Sequence, residues 1–123
     1  MNKRFSLYHL REDDIGIVTP FTAQKIMLEK ALLANKLKKI MVGTVDLFQG
    51  QEKNVIIIST VRSNVFLHNE ENHIGFLSHP KRFNVALTRA KLFVLVIGNH
   101  EVLSTNKRWK TLWEYCAKND ACI

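Results

Sequence analysis

Four short apolar runs, set apart by polar or helix-forming stretches, organise the chain. Ile15-Gly16-Ile17-Val18-Thr19 is closed by Pro20, which cannot continue a hydrogen-bonded ladder, so the run reads as a buried strand. Ile40-Met41-Val42-Gly43-Thr44 predicts a second strand, 54–60 a third rich in β-branched residues, and 92–98 a fourth. Runs that are continuously apolar rather than alternating predict burial on both faces, as in a parallel sheet covered by helices. From Phe21 onward, Ile26, Met27, Leu28, Ala31, Leu32 and Leu33 recur at helical spacing beside Lys25, Glu29 and Lys30, predicting an amphipathic helix over 21–36. Lys36, Lys38 and Lys39 complement the dipole at its end. Helices are also predicted over 81–91 and 109–118, with a long polar loop over 64–80. Alternation of strands and helices predicts one α/β layered domain over 1–123.

Composition narrows this picture. The chain has 123 residues, 46% of them hydrophobic, which is enough for one domain with a real core. Its longest apolar runs fall well short of the roughly 20 residues that a membrane-spanning helix needs. Met1 to Ser6 carries positive charge without a following apolar segment, unlike a secretory signal. The expectation is a cytoplasmic protein with no membrane partner. Cys116 and Cys122 lack the partners of a zinc set and are expected to be reduced thiols, and His9, His68, His73, His79 and His100 are scattered without ligand spacing. No metal site is expected. A formal charge of +7 points to a polyanionic partner, although the basic residues are spread along the chain.

Candidate chemistry collects after the strands, since ligands of parallel α/β sheets gather at the carboxyl edge. Thr19 to Lys25 follows the first strand, Gly43 to Asn54 the second and Thr60 to Asn64 the third. Gly43 and Gly50 bracket Thr44 to Gln49, and Asp46, Gln49, Gln51 and Glu52 crowd polar groups around that turn. That turn reads either as backbone able to approach a phosphate, with Glu52 placed to bond ribose hydroxyls, or as a surface connection capped by Thr44 or Asp46. Arg82 and Arg89 lie seven residues apart on one predicted helix, with Ala86 between them. They read either as a solvated face or as a pair that forks onto phosphate, and joining the carboxyl edge would require the tertiary fold to bring them there. No GxxxxGK[ST] loop occurs, and no acidic pair follows an apolar strand.

Taken in order, "GIVTPFTAQ", "VGTVDLFQGQEKNVIIISTVRSN" and "GFLSHPKRFNVALTRAKLFVLVIGN" resemble motifs IV, V and VI of the Upf-like superfamily 1 helicases. The wording is most similar to the Armitage and Moloney-leukaemia-virus-homologue branch of RNA helicases, with His79 standing before the proline where that branch often has another residue. The resemblance implies a RecA-like parallel sheet flanked by helices, the second of two such domains, with the first absent. It implies that Arg89 reaches the γ-phosphate as the catalytic arginine. Phe21, Gln24, Gly50, Glu52, Arg62 and Arg82 are implied to face ATP, while Thr19, Pro20, Thr44 and Val45 face nucleic acid.

The implied cofactors, ATP and Mg²⁺, would bind only together with the missing first RecA-like domain, supplied by the same or another chain. The implied partner is single-stranded RNA, with DNA also open, and the branch suggests a role in RNA silencing. Alternatives are a freestanding, non-catalytic module that binds RNA or a helicase, a piece of a DNA helicase, and a decayed paralogue. Without a phosphate loop, the chain alone is not expected to hydrolyse ATP.

Overall fold

The computed structural model describes residues 10–60 and 79–123. A short 3-10 helix, Glu12–Asp14, leads into β1 (Ile15–Val18), followed by α1 (Thr22–Ala34), β2 (Met41–Gly43), a second 3-10 helix (Val45–Phe48) and β3 (Lys53–Ser59). Then come α2 (Pro80–Thr88), β4 (Ala90–Ile97), α3 (His100–Leu103) and α4 (Lys107–Lys118). The four strands form one sheet in the order β2-β1-β3-β4, and every pairing is parallel. This is the α/β RecA-like architecture that the strand–helix alternation and the motif resemblance predict. Among the described residues, no helix is long and apolar enough to cross a membrane.

Register explains how the core assembles. Gly16 pairs with Ile56, which pairs with Val94; Val18 pairs with Ile58, which pairs with Val96. Because side chains alternate along a strand, these two rows share one face. That face is covered by Val45 and Phe48 of the second 3-10 helix, Phe83 and Ala86 of α2, Leu103 of α3 and Trp109 of α4. The chain steps from β1 to β2 in one direction and from β2 to β3 in the other. Right-handed crossovers stepping in opposite directions fall on opposite faces, so α1 covers the second face, where it packs on β2. Toward β4 no described element covers that second face: Phe93 is 56% and Ile97 55% exposed.

The connection from β2 to β3 passes over β1, and Gly16 makes the passage possible. A Cβ at Gly16 would lie 2.5 Å from Phe48 Cε1 and 3.0 Å from Ile56 Cδ1. Gly16→Ala is therefore expected to destabilise the domain by about 1–3 kcal/mol through overpacking. Urea denaturation should show a lower midpoint at unchanged slope.

Element boundaries depart from the sequence pattern where caps or tertiary contacts intervene. α1 stops at Ala34 rather than 36 because Lys36 takes φ +61° and the Leu37 N–H donates to the Leu32 carbonyl, closing the end. Its apolar positions do not gather into one buried stripe: none of its residues is buried, and Ile26, Met27 and Leu33 face solvent. Asn106 starts α4 two residues before the predicted start, its Oδ1 accepting from the N–H groups of Arg108 and Trp109 at 3.0 and 3.4 Å. Pro80 opens α2 within its first turn. Cys116 and Cys122 are free.

Candidate functional site

The sheet has two ends, and the candidate residues are divided between them. At the carboxyl edge, Thr19 follows β1 and its N–H donates to the Gly43 carbonyl at 3.0 Å. Thr60 follows β3, with both its N–H and its Oγ1 donating to the Ile97 carbonyl at 3.0 Å. Gly98, at the end of β4, has no room for a Cβ because the Thr60 hydroxyl occupies that space. Thr19 is 0% exposed, and its Oγ1 is buried with no hydrogen-bond partner among the described residues.

Pro20 is buried beside Thr19, and Val45 belongs to the core cluster. With their side chains inside, Thr19, Pro20 and Val45 offer a partner mainly backbone and shape. Thr44 is half-buried, and its carbonyl accepts from Leu47 N at 3.1 Å, opening the second 3-10 helix. Phe21 is the N-cap residue of α1 and Gln24 lies in that helix's first turn, so both also stand near the carboxyl edge. Arg82 lies in the first turn of α2, its Nε 3.8 Å from Asp46 Oδ1.

The amino edge holds the other group. Lys53 pairs with Ala90 in the β3–β4 ladder, and the Lys53 N–H donates to the Arg89 carbonyl at 2.8 Å. Glu52 and Arg89 therefore occupy neighbouring positions at the mouths of two adjacent strands. Gly50 precedes them with φ +75° and open space around it, a left-handed turn that glycine takes without strain. Arg89 is half-buried, and its Nε is fully enclosed with no hydrogen-bond partner among the described residues. No described carboxylate forms an ion pair with it. A buried donor left unsatisfied costs about 1–3 kcal/mol, more when the group is charged.

This placement corrects the expectation that the chemistry gathers at one edge. Gly50, Glu52 and Arg89 sit at the amino edge, about 23 Å along seven-residue β3 from the threonines. The reason is where α2 ends. The sequence predicts a helix through Lys91, but α2 stops at Thr88, whose hydroxyl donates back to the Asn84 carbonyl at 2.8 Å, and β3 captures Arg89 through its carbonyl. Ala90 and Lys91 then belong to β4. Arg82 lies in the first turn of the same helix beside Asp46, about 10 Å of helix rise from Arg89. Arg62 lies outside the described residues, as does most of the predicted 64–80 loop.

A third feature of the carboxyl edge escaped the sequence reading. His100, just past β4, stacks on Trp113 of α4 with ring centroids 4.9 Å apart and planes inclined by 14°. The available signals were Asn99 and Asn106, cap residues that start two helices close together; Asn99 Oδ1 accepts from Glu101 N at 2.9 Å. Among the described residues, no group of three or more His, Cys, Asp or Glu side chains is placed to hold a metal ion.

Residues 2–101 match a family described as AAA domain. A zebrafish (Danio rerio) protein named putative helicase mov-10-B.2 is 41% identical over 112 residues, covering 84% of this chain and 11% of its own length. The mouse (Mus musculus) RNA helicase Mov10l1 is 44% identical over 107 residues, covering 86% and 9%. A Saccharomyces cerevisiae protein named DNA polymerase alpha-associated DNA helicase A is 43% identical over 115 residues, covering 91% and 16%. The chain thus spans roughly a tenth to a sixth of these relatives' lengths.

Proposed function

The chain belongs to the AAA domain family as the second RecA-like domain of the Upf-like superfamily 1 helicases, and on that premise we propose that it supplies half of an ATP site and half of a single-strand RNA track. The observation that carries this reading is the separation of two edges. One presents Arg89, which has no ion-pair partner among the described residues; the other presents a row of strand ends and helix starts. A domain built this way can hold a nucleotide on one side and a strand on the other at the same time.

The residues at the amino edge fit a phosphate group presented from outside. The nucleotide, when bound with Mg²⁺ by the first RecA-like domain, supplies the phosphoryl group to be transferred. Arg89 holds a fixed positive charge and a planar set of N–H donors toward phosphoryl oxygens as negative charge builds on them. Glu52 is exposed beside it and able to accept from ribose hydroxyls. Gly50 leaves the approach unobstructed. Because Arg89 acts only when the other domain closes against this edge, turnover is coupled to domain motion.

At the carboxyl edge, the uncapped first-turn N–H groups of α1 suit sequence-independent contact with a sugar-phosphate strand. RNA is proposed because relatives named as RNA helicases match along most of the chain; the yeast relative named as a DNA helicase keeps DNA as the second reading. The test is a chimera in which this chain replaces the matching segment of Mov10l1. RNA-stimulated ATPase activity within about tenfold of the parent helicase is expected. A chimera that folds and binds RNA but does not turn over ATP would overturn the proposed half-site.

A further inference from the structure

We propose that His100 and Trp113 form a base-stacking platform that lengthens the single-strand track at the carboxyl edge; this rests on the nucleic-acid reading of that edge. The pair is placed there by the fold. His100 opens α3 three residues after Ile97 ends β4, close to Thr60 and Gly98. α4 is held against the same end of the domain by Trp109, which is 1% exposed and meets the Phe83 ring edge-on at 4.9 Å within the first turns of α2. One turn further along α4, Trp113 reaches His100.

What distinguishes Trp113 from Trp109 is its surroundings. Trp113 is 37% exposed and His100 is exposed, so two stacked flat rings face solvent instead of filling the core. Flat rings bind unstacked bases of any identity, because every base has a π face. The charge nearby favours the same ligand. Lys110 lies three residues before Trp113 on the same side of α4, and Lys107 and Arg108 are exposed in its first turn. Glu101 and Glu114 are the opposing carboxylates, leaving this end net positive, in keeping with the +7 of the chain. An aromatic step flanked by cations and adjoining strand ends matches the chemistry of a single-stranded nucleic acid.

The test uses the 123-residue chain and a fluorescein-labelled oligouridylate, read by anisotropy across a salt series. Trp113→Ala is expected to weaken binding on the order of tenfold, with the slope of log affinity against log salt unchanged because no cation is lost. Lys110→Gln should reduce that slope by about one. Trp113→Phe keeps an aromatic face and should bind within about threefold of the unaltered chain, which separates stacking from misfolding. Binding of a fully paired RNA duplex should not change, since its bases are already stacked. The unaltered chain should also lose tryptophan fluorescence on binding the oligomer, a response absent from Trp113→Phe because Trp109 is enclosed.

If the unaltered chain binds no oligouridylate at low salt, the track itself fails and the platform with it. If it binds and Trp113→Ala binds equally well, the track stands, the pair serves packing or protein contact, and the platform alone is overturned.

Discussion

Arg89→Ala in the Mov10l1 chimera is expected to lower ATP turnover by about 10³-fold or more, while ATP binding weakens but stays detectable. Arginines that reach a transferring phosphoryl group from a separate element contribute about 10³–10⁵ in rate, because their charge is matched to a distribution that exists only as the reaction proceeds. Arg89→Lys keeps the charge and loses the planar fork, so an intermediate rate is expected. The same substitution in the isolated chain has a second, opposite signature. The backbone carbonyl of residue 89 still accepts from Lys53 N, so β3 and β4 stay joined, and removing a buried N–H that has no partner among the described residues relieves a desolvation cost. The Arg89→Ala chain should therefore melt at the same temperature as the parent or slightly above it. A residue whose loss abolishes activity without loss of stability serves function at the expense of the fold. Unchanged turnover in the chimera, or a sharply lower melting temperature, would remove Arg89 from the role proposed for it.

Trp109→Ala is expected to cost about 3–5 kcal/mol, a large share of the roughly 5–15 kcal/mol that holds a typical domain together. Trp109 is the largest fully buried side chain, and it ties α4 to Phe83 of α2 through an edge-to-face contact. Losing it opens a cavity in the core cluster, and the surrounding backbone can collapse only in part. Urea denaturation of the chain should show most of its cooperative transition shifted or lost. A double-mutant cycle with Phe83→Ala isolates the ring pair itself, expected at about 0.5–1.5 kcal/mol beyond burial. A Trp109→Ala cost below about 1 kcal/mol would mean that α4 is not part of the folding unit. In that case the position of Trp113 at the carboxyl edge would lose its support as well.

Strand existence was legible because buried parallel strands write themselves as unbroken apolar runs. Ile15 to Val18, Met41 to Gly43 and Lys53 to Ser59 each fall within about one residue of the predicted spans. Family membership was legible too, since three long motifs in a fixed order carry more information than any single spacing. Helix ends were less so. The 81–91 segment is composed of residues that tolerate helix throughout, and only the ladder with β3 decides that Ala90 and Lys91 are strand. Local propensities differ by less than 1 kcal/mol per residue, so a run of sheet hydrogen bonds overrides them.

By itself, the sequence determined the composition of the core, the alternation of strands and helices, and the identity of the chemical groups available. The tertiary structure decided which groups meet. Strand order is set by the direction of each crossover, which leaves no trace in hydropathy, and it is this order that lays the β2–β3 connection over Gly16 and buries Val45. α2 runs back along the sheet and ends at Thr88, so Arg89 is held by β3 through its carbonyl while Arg82 lies beside Asp46. His100 and Trp113, 13 positions apart in the sequence, come into stacking contact because two asparagine caps fold α3 and α4 back on each other. Residue type is a local property; the distance between residue types belongs to the fold alone.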